Sequence, residues 1–199
     1  MQQAIDLFRL NITHVRNIHA LYLSMRSMTT NAIDLSDLLR VQIVMCVSAL
    51  DYYIHEIARM GMLEIFDGVR PATLAYSKFN VSLDGALQGR GAGASNAWLE
   101  AEIRSRHSFL SFQQPDKIAD ACRLISPIEL WNVVGARMGR DPKALKGELQ
   151  LIVDRRNKIA HEADADPSFP GARWPLSVTD VEGATRFIED LCEAIHAEI

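Results

Sequence analysis

An all-α fold follows from two features of the chain. Apolar residues recur every three or four positions through four long stretches, and no stretch alternates apolar and polar residues far enough to make a strand. The 199 residues, 48% hydrophobic and 23% charged, have an ordinary globular composition and the length of one domain, 1–199. The expected architecture is an up-and-down four-helix bundle. Extra short helices and irregular chain are inserted over about residues 68–140.

Residues 4–27 place Ile5, Phe8, Ile12, Val15, Ile18, Leu21 and Met25 at helical spacing, and Ser27 to Ile33 breaks the run. Asp34 or Ser36 is suited to cap the next helix, which runs to about Phe66. From Val41 to Ile54 that helix is apolar nearly all round, as a buried central helix is. Its exceptions, Ser48, Asp51 and His55, stand at i, i+3 and i+7 and so share a face. Buried polar groups need partners. Asp51 is therefore expected to compensate Arg156, directly or across a dimer interface, with His55 or Ser48 joining the network. Glu56 is off to the side, within reach of Arg59 or Arg40.

Pro71 opens a short helix from Ala72 to Phe79. Residues 84–94, with four glycines, read as a flexible loop. Their G-x-G-x-G lacks the strand of a dinucleotide fold and the lysine of a P-loop, so it is a poor nucleotide site. Asn96 caps a helix to about Phe112, Pro115 opens one through Ile125, and Pro127 opens one holding Trp131 and Val134. Asp141 caps a further helix with Pro142 at its first position. Asp164 to Pro175 is a turn region, and Ser177 to Asp180 starts the last helix, striped by Val181, Ala184, Ile188, Leu191, Cys192 and Ile195. His14 and His19 read as surface residues, and His107 and Trp131 as packing residues.

The chemistry concentrates in the helix that Pro142 opens. Leu145, Leu149, Ile152, Ile159 and Ala163 form its apolar stripe, and Arg156 falls on that stripe. An arginine aimed at a core or an interface is costly unless something pairs with it. His161 lies five residues on, about 140° further round, and arginine is long enough for both to reach one groove. Asn157 and His161 are i and i+4, so the carboxamide can touch the imidazole and fix its tautomer. A histidine moves protons near neutral pH, and an arginine holds phosphate oxygens and stabilises developing charge. Those parts suffice for RNA cleavage by the ribose 2′-OH. The spacing alone is common: Arg9 and His14 share it in the first helix. A structural alternative is an arginine neutralising a buried carboxylate and a histidine at a helix C-terminus.

The run Arg156-Asn157-Lys158-Ile159-Ala160-His161, followed by Asp166-Pro167, resembles the R-N-x-x-x-H signature of HEPN domains. Ser48-Ala49-Leu50-Asp51-Tyr52-Tyr53-Ile54-His55-Glu56 resembles the early long helix of the RiboL-PSP type of HEPN proteins. With the helices around them, the two segments cover about half the chain. The resemblance implies a homodimer with the motif at its interface. It also implies metal-independent endoribonuclease activity, in toxin or anti-phage systems that include an antitoxin or other partner protein. Some HEPN toxins carry a tyrosine two residues after the histidine, the target of a partner nucleotidyltransferase. Ala163 stands there in this chain, so that regulation is not expected.

Composition narrows the remaining classes. No run of about 18 apolar residues exists, so no membrane span is expected, and the N-terminus lacks the pattern of a signal peptide. Cys46, Cys122 and Cys192 have no C-x-x-C spacing and read as reduced core residues of a cytoplasmic protein. No H-E-x-x-H, cysteine–histidine cluster or G-x-S-x-G appears, so neither a metal, a cofactor nor a serine nucleophile is indicated. The net charge of −4 argues against indiscriminate nucleic-acid binding. Its distribution favours the motif helix, where residues 137–158 hold seven basic side chains against three acidic ones. Residues 161–199 hold two against nine.

The expected function is metal-free RNA cleavage, with Arg156, Asn157 and His161 at the centre and Asp51 behind them. Arg155 and Lys158 would contact the RNA backbone. The alternative is a non-catalytic helical module that binds RNA, nucleotide or a partner protein, with the acidic last helix as its working surface. The environment of Arg156 discriminates the two: burial with full pairing to Asp51 favours the module, and Arg156 and His161 lining one open groove favours the nuclease.

Overall fold

The computed structural model of the chain describes residues 1–30, 32–91, 93 and 95–199. Asn31, in the first break, and Ala92 and Ala94, in the glycine-rich stretch, lie outside the described residues. The described residues form nine helices and no strand beyond one isolated bridge between Ala165 and Arg173. The helices are α1 (Gln2–Met28), α2 (Ser36–Phe66), α3 (Leu74–Ser77), α4 (Leu83–Gly91), α5 (Ala97–His107), α6 (Pro115–Arg123), α7 (Leu130–Met138), α8 (Pro142–His161) and α9 (Val178–Glu198).

Helix α2 is the axis of the molecule, because it is apolar enough to be covered on every side. Tyr53, Ile54, Ile57, Ala58 and Met62 are fully buried along it. It packs against α1, α5, α6, α8 and α9. Helix α1 runs antiparallel to α2: Phe8 stacks on Tyr53 near one end, and His19 meets Gln42 near the other. Helix α8 ends where α2 begins, since Arg40 grips Asp164 just beyond α8. Helix α9 starts at that same end, its Val181 and Ala184 packed with Leu39 and Ile43. The four long helices therefore alternate in direction. Helix α7 packs against both α8 and α9, and the other short helices fill the region between α2 and α8 in the chain.

Helix ends follow their sequence signals where a side chain supplies the cap. Asp141 accepts the Ala144 N–H at 2.8 Å with Pro142 at the first helical position. Ser177 and Asp180 form a reciprocal capping box at α9. Asp34 takes the Ser36 N–H at 2.8 Å, just outside α2. Thr73, two residues after Pro71, caps α3, which is shorter than expected. Helix α5 stops at His107 rather than near Phe112, because the chain turns there into a link held by α2.

The main correction concerns residues 84–94, expected as a loop. Most of that stretch is helix α4. Glu102 of α5 accepts from both the N–H and the hydroxyl of Ser82 and so fixes the start of α4. Gly85 and Gly89 serve close packing of α4 on α5: a Cβ at Gly89 would come within 2.7 Å of the Trp98 ring. Cys46, Cys122 and Cys192 are buried and free. No helix among the described residues is long and apolar enough to cross a membrane.

Candidate functional site at the motif helix

Helix α8 turns Leu145, Leu149 and Val153 into the core and leaves Arg156 and Asn157 half-buried on one flank. There they line a groove of about 410 Å3, opposite the link between α5 and α6. Val153, Arg156, Asn157, Phe109, Gln113 and Lys117 are among its walls. Among the described residues, five arginines are withdrawn from solvent. Arg40, Arg59, Arg70 and Arg155 each hold a carboxylate. Arg156 holds none among the described residues. Its Nη1 donates to Asn157 Oδ1 at 3.0 Å, and its buried Nε has no hydrogen-bond partner.

Asp51 does not reach Arg156 within the chain. Its Oδ1 accepts the Phe112 N–H at 2.6 Å, and its Oδ2 accepts from Gln113 Nε2 at 3.2 Å. The α5–α6 link crosses α2 at this point with a main-chain donor to satisfy, and Asp51 is the acceptor beneath it. Asp51 thus holds the wall that faces Arg156 rather than Arg156 itself. His55 stands 3.8 Å from Asp51 and stacks on Phe112 at 4.5 Å. Together with His107 and Tyr52 it lines a second groove, of about 390 Å3, on the other side of the link. Ser48 is exposed and makes no hydrogen bond among the described residues.

Asn157 spends its carboxamide oxygen on Arg156, so it orients the arginine and not the imidazole. His161 is exposed in the last turn of α8 and does not line the Arg156 groove. The expectation that the length of Arg156 lets both groups reach one groove is not met: the guanidinium turns to Asn157, and His161, about 140° round the helix, lies outside the groove.

Arg155 and Lys158 do not line the Arg156 groove and are engaged by the chain that follows α8. Arg155 Nη2 donates to Asp164 Oδ2 at 2.9 Å and to the carbonyls of Trp174 and Pro175. Burial lowers the Arg155 pKa from its ordinary value; Asp164 opposes that shift and nearby Arg40 adds to it. Lys158 sits over the Trp174 ring at 5.0 Å. Elsewhere on the basic segment, Arg137 pairs with Glu198 and Arg140 with Glu148. On the acidic last helix, Glu193 and Glu189 hold Arg9 and Arg16, and Glu182 faces His19 at 3.2 Å. Much of the acidic run is thus engaged by other helices, whereas Lys143, Lys146 and Arg156 of the basic run hold no acid among the described residues.

Three site features escaped the sequence. Asp164 looked like a turn residue and is the buried counter-charge of two arginines. His19 looked like a surface residue and is half-buried, its Nδ1 3.0 Å from the Oε1 of buried Gln42. Phe109 and Lys117 line the Arg156 groove from a segment that carries no motif. Among the described residues, no three His, Cys, Asp or Glu side chains are grouped to hold a metal ion. Comparison with protein-family models, curated proteins and solved structures finds no match to the chain.

Proposed function

We propose that the protein is a metal-independent endoribonuclease of HEPN type that works as a homodimer. The observation that carries this reading is Arg156, half-buried in an open groove without an acidic partner. A desolvated cation with no counter-charge is costly in the free protein and becomes favourable when an anion arrives. A phosphodiester is such an anion, and a guanidinium holds two of its oxygens at once.

In the reaction a base takes the 2′-OH proton, the 2′-oxygen attacks phosphorus, and the P–O5′ bond breaks. The leaving 5′-oxygen takes up a proton. The products carry a 2′,3′-cyclic phosphate and a 5′-OH. His161 acts as general base or acid. Arg156 stabilises the charge on the phosphorane oxygens, and Asn157 holds Arg156 in place. His161 lies outside the Arg156 groove of its own chain. A second copy across a two-fold axis answers that separation, since it brings two arginines and two histidines to one seam. The resemblance implies a toxin or anti-phage effector, which an antitoxin or defence partner would restrain.

The same separation favours a second reading, a non-catalytic HEPN-like module that binds RNA, nucleotide or a partner protein. Incubation with mixed single-stranded RNA and tRNA in EDTA decides between them. Wild type is expected to cleave and to leave 2′,3′-cyclic ends. Arg156→Ala and His161→Ala are each expected to lose about a hundredfold or more in rate, with unchanged thermal melting. Full activity in either folded variant removes that residue from the mechanism. A folded wild type that leaves all RNA intact moves the protein to the binding-module reading.

A further inference from the structure

The link between α5 and α6 is anchored at its end and bare in its middle. Phe112 is buried against His55 and His107, its N–H is bound to Asp51, and Gln113 is buried beside it. Phe109, three residues earlier, is 90% exposed, the most exposed large apolar side chain of the described residues. Folding gains little from an aromatic ring left in water. The ring belongs to the wall of the groove that holds Arg156 and Lys117. Neither cation has an ion-pair partner among the described residues, and the one acid of that groove, Asp120, is bound to Arg123 at 2.5 Å.

We infer that Phe109 is a stacking platform for one unpaired nucleobase of an RNA strand whose phosphates lie on Arg156 and Lys117. The inference rests on the reading that RNA is the ligand of this groove, and it assigns the substrate class as single-stranded. An exposed ring beside unpaired cations is the arrangement that binds a single strand, because each base offers a face to stack and each linkage an anion. A duplex keeps its bases stacked on one another and has no free face to give. The strand leaves on the Lys117 side. On the other side, Arg59 and Arg104 of the second groove are already paired with Glu56 and Glu100.

The test is binding, measured by fluorescence anisotropy on a short labelled oligoribonucleotide in EDTA. A His161→Ala background keeps the strand intact. Adding Phe109→Ala is expected to weaken single-strand binding about tenfold or more, while Phe109→Trp retains it. The weak binding of a duplex of the same sequence is expected to be unmoved by Phe109→Ala. Lys117→Ala is expected to reduce the salt dependence of binding by about one phosphate contact. The inference is overturned if Phe109→Ala binds like its parent, if single strand and duplex weaken alike, or if RNA does not bind at all. It is also overturned if Phe109→Ala splits a dimer by light scattering, which would make the ring an interface residue. Phe109-dependent binding without cleavage by wild type refutes the nuclease and leaves the platform standing. Cleavage without Phe109 dependence does the reverse.

Discussion

Asp164 is 1% exposed, and its Oδ2 is shared by Arg40 Nε at 2.7 Å and Arg155 Nη2 at 2.9 Å. It also follows the motif helix in the left-handed region, with φ of 57° after Ala163 at 51°. Aspartate tolerates that backbone better than most residues, and here its N–H returns to the Lys158 carbonyl at 3.0 Å. One carboxylate therefore ties α2, α8 and the chain after α8 together, just past His161. Asp164→Ala removes the counter-charge of two guanidiniums withdrawn from solvent. Breaking a buried pair by deleting one partner costs about 3–5 kcal/mol. The expected outcome is a loss of that size in the chemical-denaturation free energy. A loss under about 1 kcal/mol would mean that water already screens the pair.

At the scale of elements, α2 is held by how closely its neighbours approach. Gly61 sits where α6 ends against it: a Cβ there would lie 2.6 Å from Ile125 Cγ2 and 2.8 Å from Ile125 Cβ. Replacing glycine by alanine inside a helix ordinarily gains about 1 kcal/mol. Here overpacking costs about 1–3 kcal/mol, and Ile125 is buried and branched at the point of contact, so it cannot swing aside. Gly61→Ala is expected to lower the melting temperature, and an unchanged or raised value would show that α6 yields. The α5–α6 link shows why part of the site was illegible. Ser48, Asp51 and His55 share a face, as their spacing requires, but what covers that face comes from about 60 residues later in the chain. No local pattern in Phe109 to Gln113 announces that meeting.

For the molecule as a whole, His107 links stability to pH. It is 5% exposed, edge-on to Phe79 and Phe112, and its Nδ1 has no hydrogen-bond partner among the described residues. Burial, with a smaller contribution from His55, lowers its pKa to about 4. An unfolded histidine titrates near 6.5, so between pH 6.5 and 4 the unfolded chain binds a proton that the folded chain refuses. Stability falls as pH drops through that window, by up to about 3 kcal/mol from this residue. Asp180, its carboxyl held below the ordinary value by Ser177, acts only at lower pH. His107→Phe keeps the ring contacts and is expected to flatten the melting profile between pH 6.5 and 4. An unchanged slope would assign the acid sensitivity elsewhere.

The sequence by itself determined the helical class, the buried centre of α2, the capped starts of α8 and α9 and the three buried cysteines. Each depends on periodicity or on groups within four residues of one another, which act before any tertiary contact forms. It also singled out Arg156 as the arginine in need of a partner. Only the tertiary structure decided what those groups meet. Asp51 went to the Phe112 N–H, Asn157 to Arg156, and Arg155 to Asp164, while the glycine-rich stretch became α4 against Trp98. The reason is physical. Charge and hydrogen-bonding capacity are written in the residues, but partners are chosen by which surfaces the packing of a long central helix brings within 3 Å.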